Sequence, residues 1–150
     1  FWVGRRSRRD ANGSVARVIL IDSSAWIEFL RDTGSTVCNE VDELLDAEIA
    51  TTEPVRMEIL AGARSDGHFA QLRSTLARAH LLRVEPGDYD AAAGIYQGCR
   101  ANGKTVRKLV DCLIAAVALR HKVSMLHSDR DFEAIAASFE LAIHEPTAQR

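Results

Sequence analysis

Four carboxylic acids in this sequence lie where an acid has no evident structural purpose. Asp22 directly follows a run of four aliphatic residues, and Asp129 comes shortly after a second apolar run. Glu58 and Asp111 lie inside segments that are otherwise largely apolar. An ionised carboxylate beside apolar surface is costly unless it is paired or binds a cation. The four acids are therefore the first candidates for a functional site.

The chemistry that such a set could perform depends on a hard cation. Clustered carboxylates with no histidine or cysteine among them favour Mg²⁺ or Mn²⁺. These ions promote phosphodiester hydrolysis, because they stabilise charge on the phosphate and lower the pKa of the attacking water. No cysteines and histidines are spaced as in a zinc site. The acids therefore predict metal-assisted hydrolysis of a phosphodiester.

Strands and helices alternate along the chain, and this order predicts how the acids are positioned. The predicted strands cover 18–22, 48–51, 81–84, 123–127 and 141–143, and the predicted helices cover about 24–31, 35–47, 88–101 and 109–120, with further helices beginning at 54 and after 67 and 131. Pro86 and Gly87 are predicted to form a turn. The helix at 109–120 is apolar on nearly every side and is predicted to be buried.

This alternation is typical of a single α/β domain with a parallel sheet between two helical layers. Ligands of such sheets bind at the carboxyl ends of the strands. Asp22 and Asp129 follow strands directly, and Glu58 and Asp111 occur early in helices expected to begin at the same edge. The topology therefore predicts that all four acids meet in one cleft.

Other residues near these acids have both a functional and a structural interpretation. Ser24 could hydrogen-bond a site carboxylate or a phosphate, or it could cap the following helix. Lys104, Arg107 and Lys108 could contact an RNA backbone, or they could form a solvated basic loop.

A second acid follows Asp129 closely, and the two require separate assignments. Ser128 and Asp131 fit the pattern of a capping box, which favours a structural role for Asp131. Asp129 is therefore preferred as the metal ligand, with Asp131 as a further possible ligand.

Composition defines the broad class of protein. A chain of 150 residues, 47% hydrophobic and 27% charged, suits one globular domain. Three cysteines without a pairing pattern predict a reducing, cytoplasmic setting, and no apolar run approaches the length of a membrane span. Residues 1–17 hold five arginines and a single acid, whereas the whole chain has a net charge of −2, so the remainder is acidic. The basic leader is interpreted first as an extension from a misplaced start or from cloning, with a solvated tail and a nucleic-acid-binding arm as alternatives.

Four blocks of the sequence together resemble the PIN-domain family, and most closely its VapC-type toxins. The blocks are Ile21-Asp22-Ser23-Ser24-Ala25-Trp26, Met57-Glu58-Ile59-Leu60-Ala61-Gly62, Asp111-Cys112-Leu113-Ile114-Ala115-Ala116 and His127-Ser128-Asp129-Arg130-Asp131-Phe132. They occur in the family's order, and the resemblance extends over about 18–143. It implies that a PIN domain occupies residues 18–150.

The resemblance implies a three-layer α/β/α sandwich with a central parallel sheet and a ribonuclease acting on tRNA or ribosomal RNA. In that family an acidic quartet, matched here by Asp22, Glu58, Asp111 and Asp129, holds Mg²⁺ or Mn²⁺ and activates water. A VapB-type antitoxin blocks the site, and the toxins usually form homodimers. Two departures stand out: the family often has threonine where this chain has His127, and its members usually start almost directly on the first strand.

Two other classes of protein remain as alternatives to a nuclease. A catalytically inactive RNA-binding module of the same fold is one, although the presence of all four acids argues against it. A phosphoryl-transfer domain on a similar sheet is the other. A phosphatase with a nucleophilic aspartate would need a second aspartate two residues after Asp22, where Ser24 stands.

Overall fold

A computed structural model describes residues 17–147 of the chain. The elements are β1 (Ile19–Ile21), α1 (Ser23–Leu30), α2 (Thr36–Leu44), β2 (Ile49–Thr51), α3 (Glu53–Ala61), α4 (Asp66–Leu76), β3 (His80–Leu81), α5 (Pro86–Ala101), α6 (Leu109–His121), β4 (Ser124–Leu126) and α7 (Arg130–Ser138). The basic leader predicted at 1–17 lies outside the described residues, except for its last residue. None of the helices within 17–147 is long and apolar enough to cross a membrane.

The strands form one parallel sheet in the order β3-β2-β1-β4, with helices packed around it. The prediction of an α/β fold with a central parallel sheet is therefore confirmed. Ile143 makes a single parallel bridge to Met125, so the predicted last strand at 141–143 is reduced to one pairing beside β4. The central position of β1 follows from its sequence, because Leu20 and Ile21 are fully buried.

Two predicted boundaries were wrong, for reasons that the structure shows. The strand predicted at 81–84 is only His80–Leu81, because the backbone N–H of Val84 donates to the Glu53 side chain instead of to a neighbouring strand. The predicted turn at Pro86 and Gly87 is the first turn of α5, where a proline is tolerated because its missing N–H would be unpaired anyway.

Helix α6 is the buried central helix that its composition predicted. Every residue from Ile114 to Ala118 is buried, and the exposed residues of α6 lie at its ends: Leu109, Arg120 and His121. Phe132 of α7 and Trp26 of α1 are fully buried in the same core. This packing fixes the start of α6, and with it Asp111, relative to the ends of β1 and β4.

Candidate active site

The four acids predicted from the sequence meet at the carboxyl-terminal edge of the sheet. Asp22 and Asp129 come just after β1 and β4, and Glu58 and Asp111 come from α3 and the first turn of α6. The charges of these acids also influence one another. The charge of Asp22 contributes to raising the pKa of both Glu58 and Asp111, and the charge of Asp129 acts on both in the same direction.

Asp22 is held by the first turn of α1 and is 2% exposed. Its Oδ2 accepts hydrogen bonds from Ser24 N (2.9 Å) and Ser24 Oγ (2.6 Å), so Asp22 itself is the N-cap of α1. Its Oδ1 is buried and has no hydrogen-bond partner among the described residues. Burial raises the pKa of Asp22 despite the bonds from Ser24. One oxygen is thus fixed in place, and the other lacks a partner.

Ser24 is not the helix cap that one sequence interpretation allowed. Its hydroxyl donates to Asp22 and accepts a hydrogen bond from the backbone N–H of Ser128 at 2.9 Å. Ser24 therefore joins the loop after β1 to the loop after β4. This contact fixes the spacing between the segments that carry Asp22 and Asp129.

Asp111 is a buried acid whose pKa is strongly raised. It is 1% exposed, and its buried Oδ2 has no hydrogen-bond partner among the described residues. Burial raises the pKa of Asp111 to about 8, and contact with Asp131 and the charge of Asp22 act in the same direction. Its nearest cation is Lys108, with Nζ 3.7 Å from Oδ2.

Glu58 is oriented by a residue that sequence reasoning missed. The hydroxyl of Ser23 donates to Glu58 Oε1 at 3.1 Å, linking the start of α1 to the second turn of α3. Burial raises the pKa of this half-buried carboxyl, and the neighbouring charge of Asp22 raises it further. The signal in the sequence was a hydroxyl directly after the first acid, but its partner lies 35 residues away.

Asp129 and Asp131 have different surroundings. Asp129 is the N-cap of α7, since its Oδ1 accepts from Asp131 N at 3.0 Å. The capping box expected for Ser128 and Asp131 was therefore wrong. Burial acts to raise the pKa of Asp129, but the hydrogen bond from the Asp131 backbone and the charges of Lys108 and Arg107 outweigh it and lower that pKa. His127, also missed, positions Asp129 by accepting its backbone N–H on Nδ1 at 3.1 Å.

The carboxylate of Asp131 is occupied by the loop that precedes α6. Its Oδ2 accepts from Arg107 N (3.0 Å) and Lys108 N (3.2 Å), and its Oδ1 accepts from Arg107 Nε at 3.1 Å. It is 1% exposed. Carboxylate oxygens of Asp111, Asp129 and Asp131 nevertheless lie within 4.8 Å of one another. Asp131 therefore belongs to a close carboxylate group that includes neither Asp22 nor Glu58, although its own hydrogen bonds go to the loop.

The three basic residues predicted to contact RNA are not equivalent. Arg107 donates to Asp129 at 2.6 Å as well as to Asp131, and Lys108 Nζ lies 3.2 Å from Asp129 Oδ2. Lys104 is exposed, and its side chain makes no hydrogen bond or ion pair with the described residues. Two of the predicted basic residues therefore form ion pairs with the acids, and Lys104 lies at the surface.

The residues present fit a divalent cation. All the donors are carboxylate oxygens, which suit Mg²⁺ or Mn²⁺. Two of these oxygens, Asp22 Oδ1 and Asp111 Oδ2, are buried without hydrogen bonds. A cavity of about 1040 Å³ is lined by Val18, Leu82 and Arg120 among others and contains none of the four acids. The candidate site is therefore a cleft defined by its chemistry rather than by its volume.

The raised pKa of Asp111 predicts an unusual pH dependence of stability. A carboxyl whose folded pKa exceeds its unfolded value binds its proton more tightly when folded, so stability falls as pH rises between about 4 and 8. The acids with lowered pKa, among them Asp88 and Asp129, contribute their full stabilisation above about pH 5, so they add no slope at higher pH. Burial lowers the pKa of His121 below its ordinary value of about 6.5. Stability therefore rises with pH through this group only up to about pH 6.5.

Urea unfolding of the metal-free protein between pH 6.5 and 8 measures this effect. We expect the free energy of unfolding to fall by on the order of 1 kcal/mol per pH unit. Asp111→Asn should remove the part of that slope that Asp111 contributes, and the raised pKa of Asp22 leaves a remainder. An identical slope in the two proteins would contradict the assignment of the raised pKa to Asp111.

Comparison with known proteins places this geometry in a family. The family model described as PIN domain matches residues 19–138, which include all four acids. The chain belongs to the PIN-domain family. Within it, the chain is 47% identical over 123 residues to Ribonuclease VapC11 of Mycobacterium tuberculosis, a match covering 79% of this chain and 92% of that protein. This PIN domain is therefore of the VapC type.

Solved structures share the fold of this PIN domain at lower identity. A toxin-antitoxin complex from Klebsiella pneumoniae matches with a TM-score of 0.62 and 19% identity, over 76% of this chain and 89% of that chain. VapC20 from Mycobacterium tuberculosis, described as a sarcin-ricin loop cleaving toxin, matches with a TM-score of 0.61 and 17% identity, over 83% and 98%. At these identities the likeness concerns the fold alone.

Proposed function

We propose that this PIN domain is a metal-dependent endoribonuclease toxin that a VapB-type antitoxin neutralises. The observation that carries the proposal is the pair of buried, unpartnered carboxylate oxygens on Asp22 and Asp111 inside an all-oxygen cluster. A folded protein that buries acidic oxygens without donors is expected to bind a cation with them. The similarity to Ribonuclease VapC11 supports RNA as the substrate.

The proposed metal ligands are Asp22, Asp111 and Asp129, with Glu58 completing the quartet and Mg²⁺ or Mn²⁺ as the ion. Such an ion would neutralise charge on the scissile phosphate and lower the pKa of the attacking water. Ser24 holds Asp22 in orientation, and Ser23 does the same for Glu58. Asp131 is assigned to the loop before α6, because its hydrogen bonds already go to Arg107 and Lys108.

In the proposed reaction, a water oxygen bonds to phosphorus in line with the bond that breaks. The bond between phosphorus and the 3′ oxygen breaks, and that oxygen takes a proton from solvent water to become a 3′-hydroxyl, so the other product carries a 5′-phosphate. Glu58 is proposed to accept the proton of the attacking water. Its raised pKa brings it closer to the working pH, as proton transfer requires.

The body of the protein is acidic, so RNA binding needs local positive charge. Lys104, Arg107 and Lys108 are proposed to supply it from one loop. The toxin-antitoxin complex that shares this fold supports a protein inhibitor as partner. A homodimer and a cytoplasmic location remain predictions from the resemblance and the composition. An inactive RNA-binding module is disfavoured, because the complete quartet would have no use in it.

The test is cleavage of an RNA substrate by the purified chain, with Mg²⁺ or Mn²⁺ and with EDTA. Loss of a group that merely orients a metal ligand typically costs 10- to 100-fold, so Asp22→Asn is expected to lose at least about 100-fold in rate. Asp90→Asn, an exposed acid on α5, is the matched control and should retain full activity. Cleavage that survives EDTA, or equal rates for wild type and Asp22→Asn, would refute the proposed function.

A further inference from the structure

The acidic cleft already contains a cation that belongs to the chain itself. The ammonium of Lys108 lies 3.2 Å from Asp129 Oδ2 and 3.7 Å from Asp111 Oδ2. Both carboxylates belong to the proposed metal site, and Asp111 Oδ2 has no hydrogen-bond partner among the described residues. The charge of Lys108 also acts to lower the pKa of Asp22 and of Glu58, so the ammonium interacts electrostatically with all four acids.

Lys108 is anchored by its backbone, whereas its side chain is partly exposed and held only by ion pairs. Its backbone N–H donates to the buried carboxylate of Asp131 at 3.2 Å, and Lys108 is the N-cap residue of α6. Its side chain is 48% exposed. The four-carbon stem of lysine is flexible. The ammonium can therefore leave the cleft without any movement of the loop or of α6.

The neighbouring Arg107 differs in this respect. Its backbone N–H and its Nε both donate to Asp131, and its other guanidinium nitrogen donates to Asp129. A guanidinium held at several points is a fixed part of the loop. Lys108 has no comparable fork of bonds, so it is the exchangeable cation of the pair.

We propose that Lys108 is a tethered counter-cation, whose ammonium fills the cleft of the metal-free protein and is displaced when a divalent ion binds. The inference rests on the proposed metal site. Asp111 and Asp129 cannot hold both cations close together, because an ammonium and a divalent ion repel each other strongly in a partly buried site. Lys108 therefore stabilises the empty site and weakens metal affinity, and its displaced ammonium stays on its stem at the mouth of the cleft.

Calorimetric titration of the EDTA-stripped full chain with Mn²⁺, without RNA, tests this competition. Lys108→Met removes the charge and keeps an unbranched stem, and it is expected to bind Mn²⁺ at least about tenfold more tightly than wild type. Lys108→Arg keeps the charge and should stay within about threefold of wild type. Lys104→Met removes a lysine from the same loop that has no contact with the acids, and its Mn²⁺ affinity should not change.

The outcomes separate this inference from the proposed function. If wild type binds Mn²⁺ and Lys108→Met binds it no more tightly, the counter-cation is refuted while the metal site stands. If neither protein binds Mn²⁺, both proposals fail.

A second measurement does not depend on the methionine variant folding. In wild-type protein carrying ¹³C-labelled lysine, the Cε resonance of Lys108, assigned with Lys108→Arg, should shift on titration with Mg²⁺ while that of Lys104 stays in place. A Lys108 resonance that does not move as Mg²⁺ binds would overturn the inference.

Discussion

Replacing Asp111 with asparagine is expected to abolish RNA cleavage and, at the same time, to make the metal-free protein more stable. The carboxylate is 1% exposed, has a buried oxygen without a hydrogen bond and sits among three other acids. Asparagine has nearly the same shape, carries no charge, and offers an amide that can donate to the neighbouring carboxylates. Removing a buried, poorly compensated charge typically stabilises a protein.

The two effects of Asp111→Asn are measured on one preparation. We expect a loss of at least about 100-fold in cleavage rate with Mg²⁺, because the substitution removes a proposed direct ligand. In urea with EDTA at pH 8, we expect a gain on the order of 1 kcal/mol in the free energy of unfolding. Functional sites commonly trade stability for activity in this way. A variant that loses stability, or one that keeps its activity, would contradict the role assigned to Asp111.

Replacing Asp131 with asparagine is expected to act in the opposite direction on stability. Its carboxylate accepts two backbone N–H groups from the loop before α6 and the Nε of Arg107, and it is 1% exposed. An asparagine amide presents a donor where those donors converge. Removing one partner of a buried ion pair costs about 3–5 kcal/mol. Because the Arg107 side chain is 57% exposed, we expect a smaller loss, of about 2–4 kcal/mol.

Arg107→Gln is the matched control for Asp131→Asn in the same urea experiment. It removes the exposed half of the ion pair and leaves both backbone N–H groups bonded to Asp131, so it should cost clearly less stability than Asp131→Asn. If Asp131→Asn instead keeps its stability and loses activity, as expected for Asp111→Asn, then Asp131 belongs with the metal ligands. The signs of the two stability changes thus distinguish the two acids.

The sequence predicted the parts of this site that depend on local patterns and on topology. The aliphatic run before Asp22 had to be a buried strand, and the almost wholly apolar helix at 109–120 had to be a central one. Parallel strands then bring their carboxyl ends to one edge. The topology alone therefore places all four acids at one edge of the sheet.

Contacts between side chains of distant segments could not be predicted in the same way. Asp131 bonds a loop 24 residues earlier, and Ser24 meets Ser128 across 104 residues. No periodicity in the sequence encodes such pairs, so a capping box was assigned where a tertiary contact exists. The direction of the Lys108 side chain could not be predicted from the sequence either. A basic loop beside an acidic cleft can point its ammonium toward solvent or toward the acids, and only the packed structure distinguishes the two.

The most direct test of the central claim is the anomalous scattering of Mn²⁺ in a crystal of this protein grown with the ion. An anomalous peak is expected in contact with Asp22 Oδ1 and Asp111 Oδ2, the two buried carboxylate oxygens that lack hydrogen bonds among the described residues. The ammonium of Lys108 is expected to have left the cleft, and Asp131 is expected still to bond the loop. Saturating Mn²⁺ with no peak at any of the four acids, or a peak only elsewhere on the molecule, would contradict the central claim.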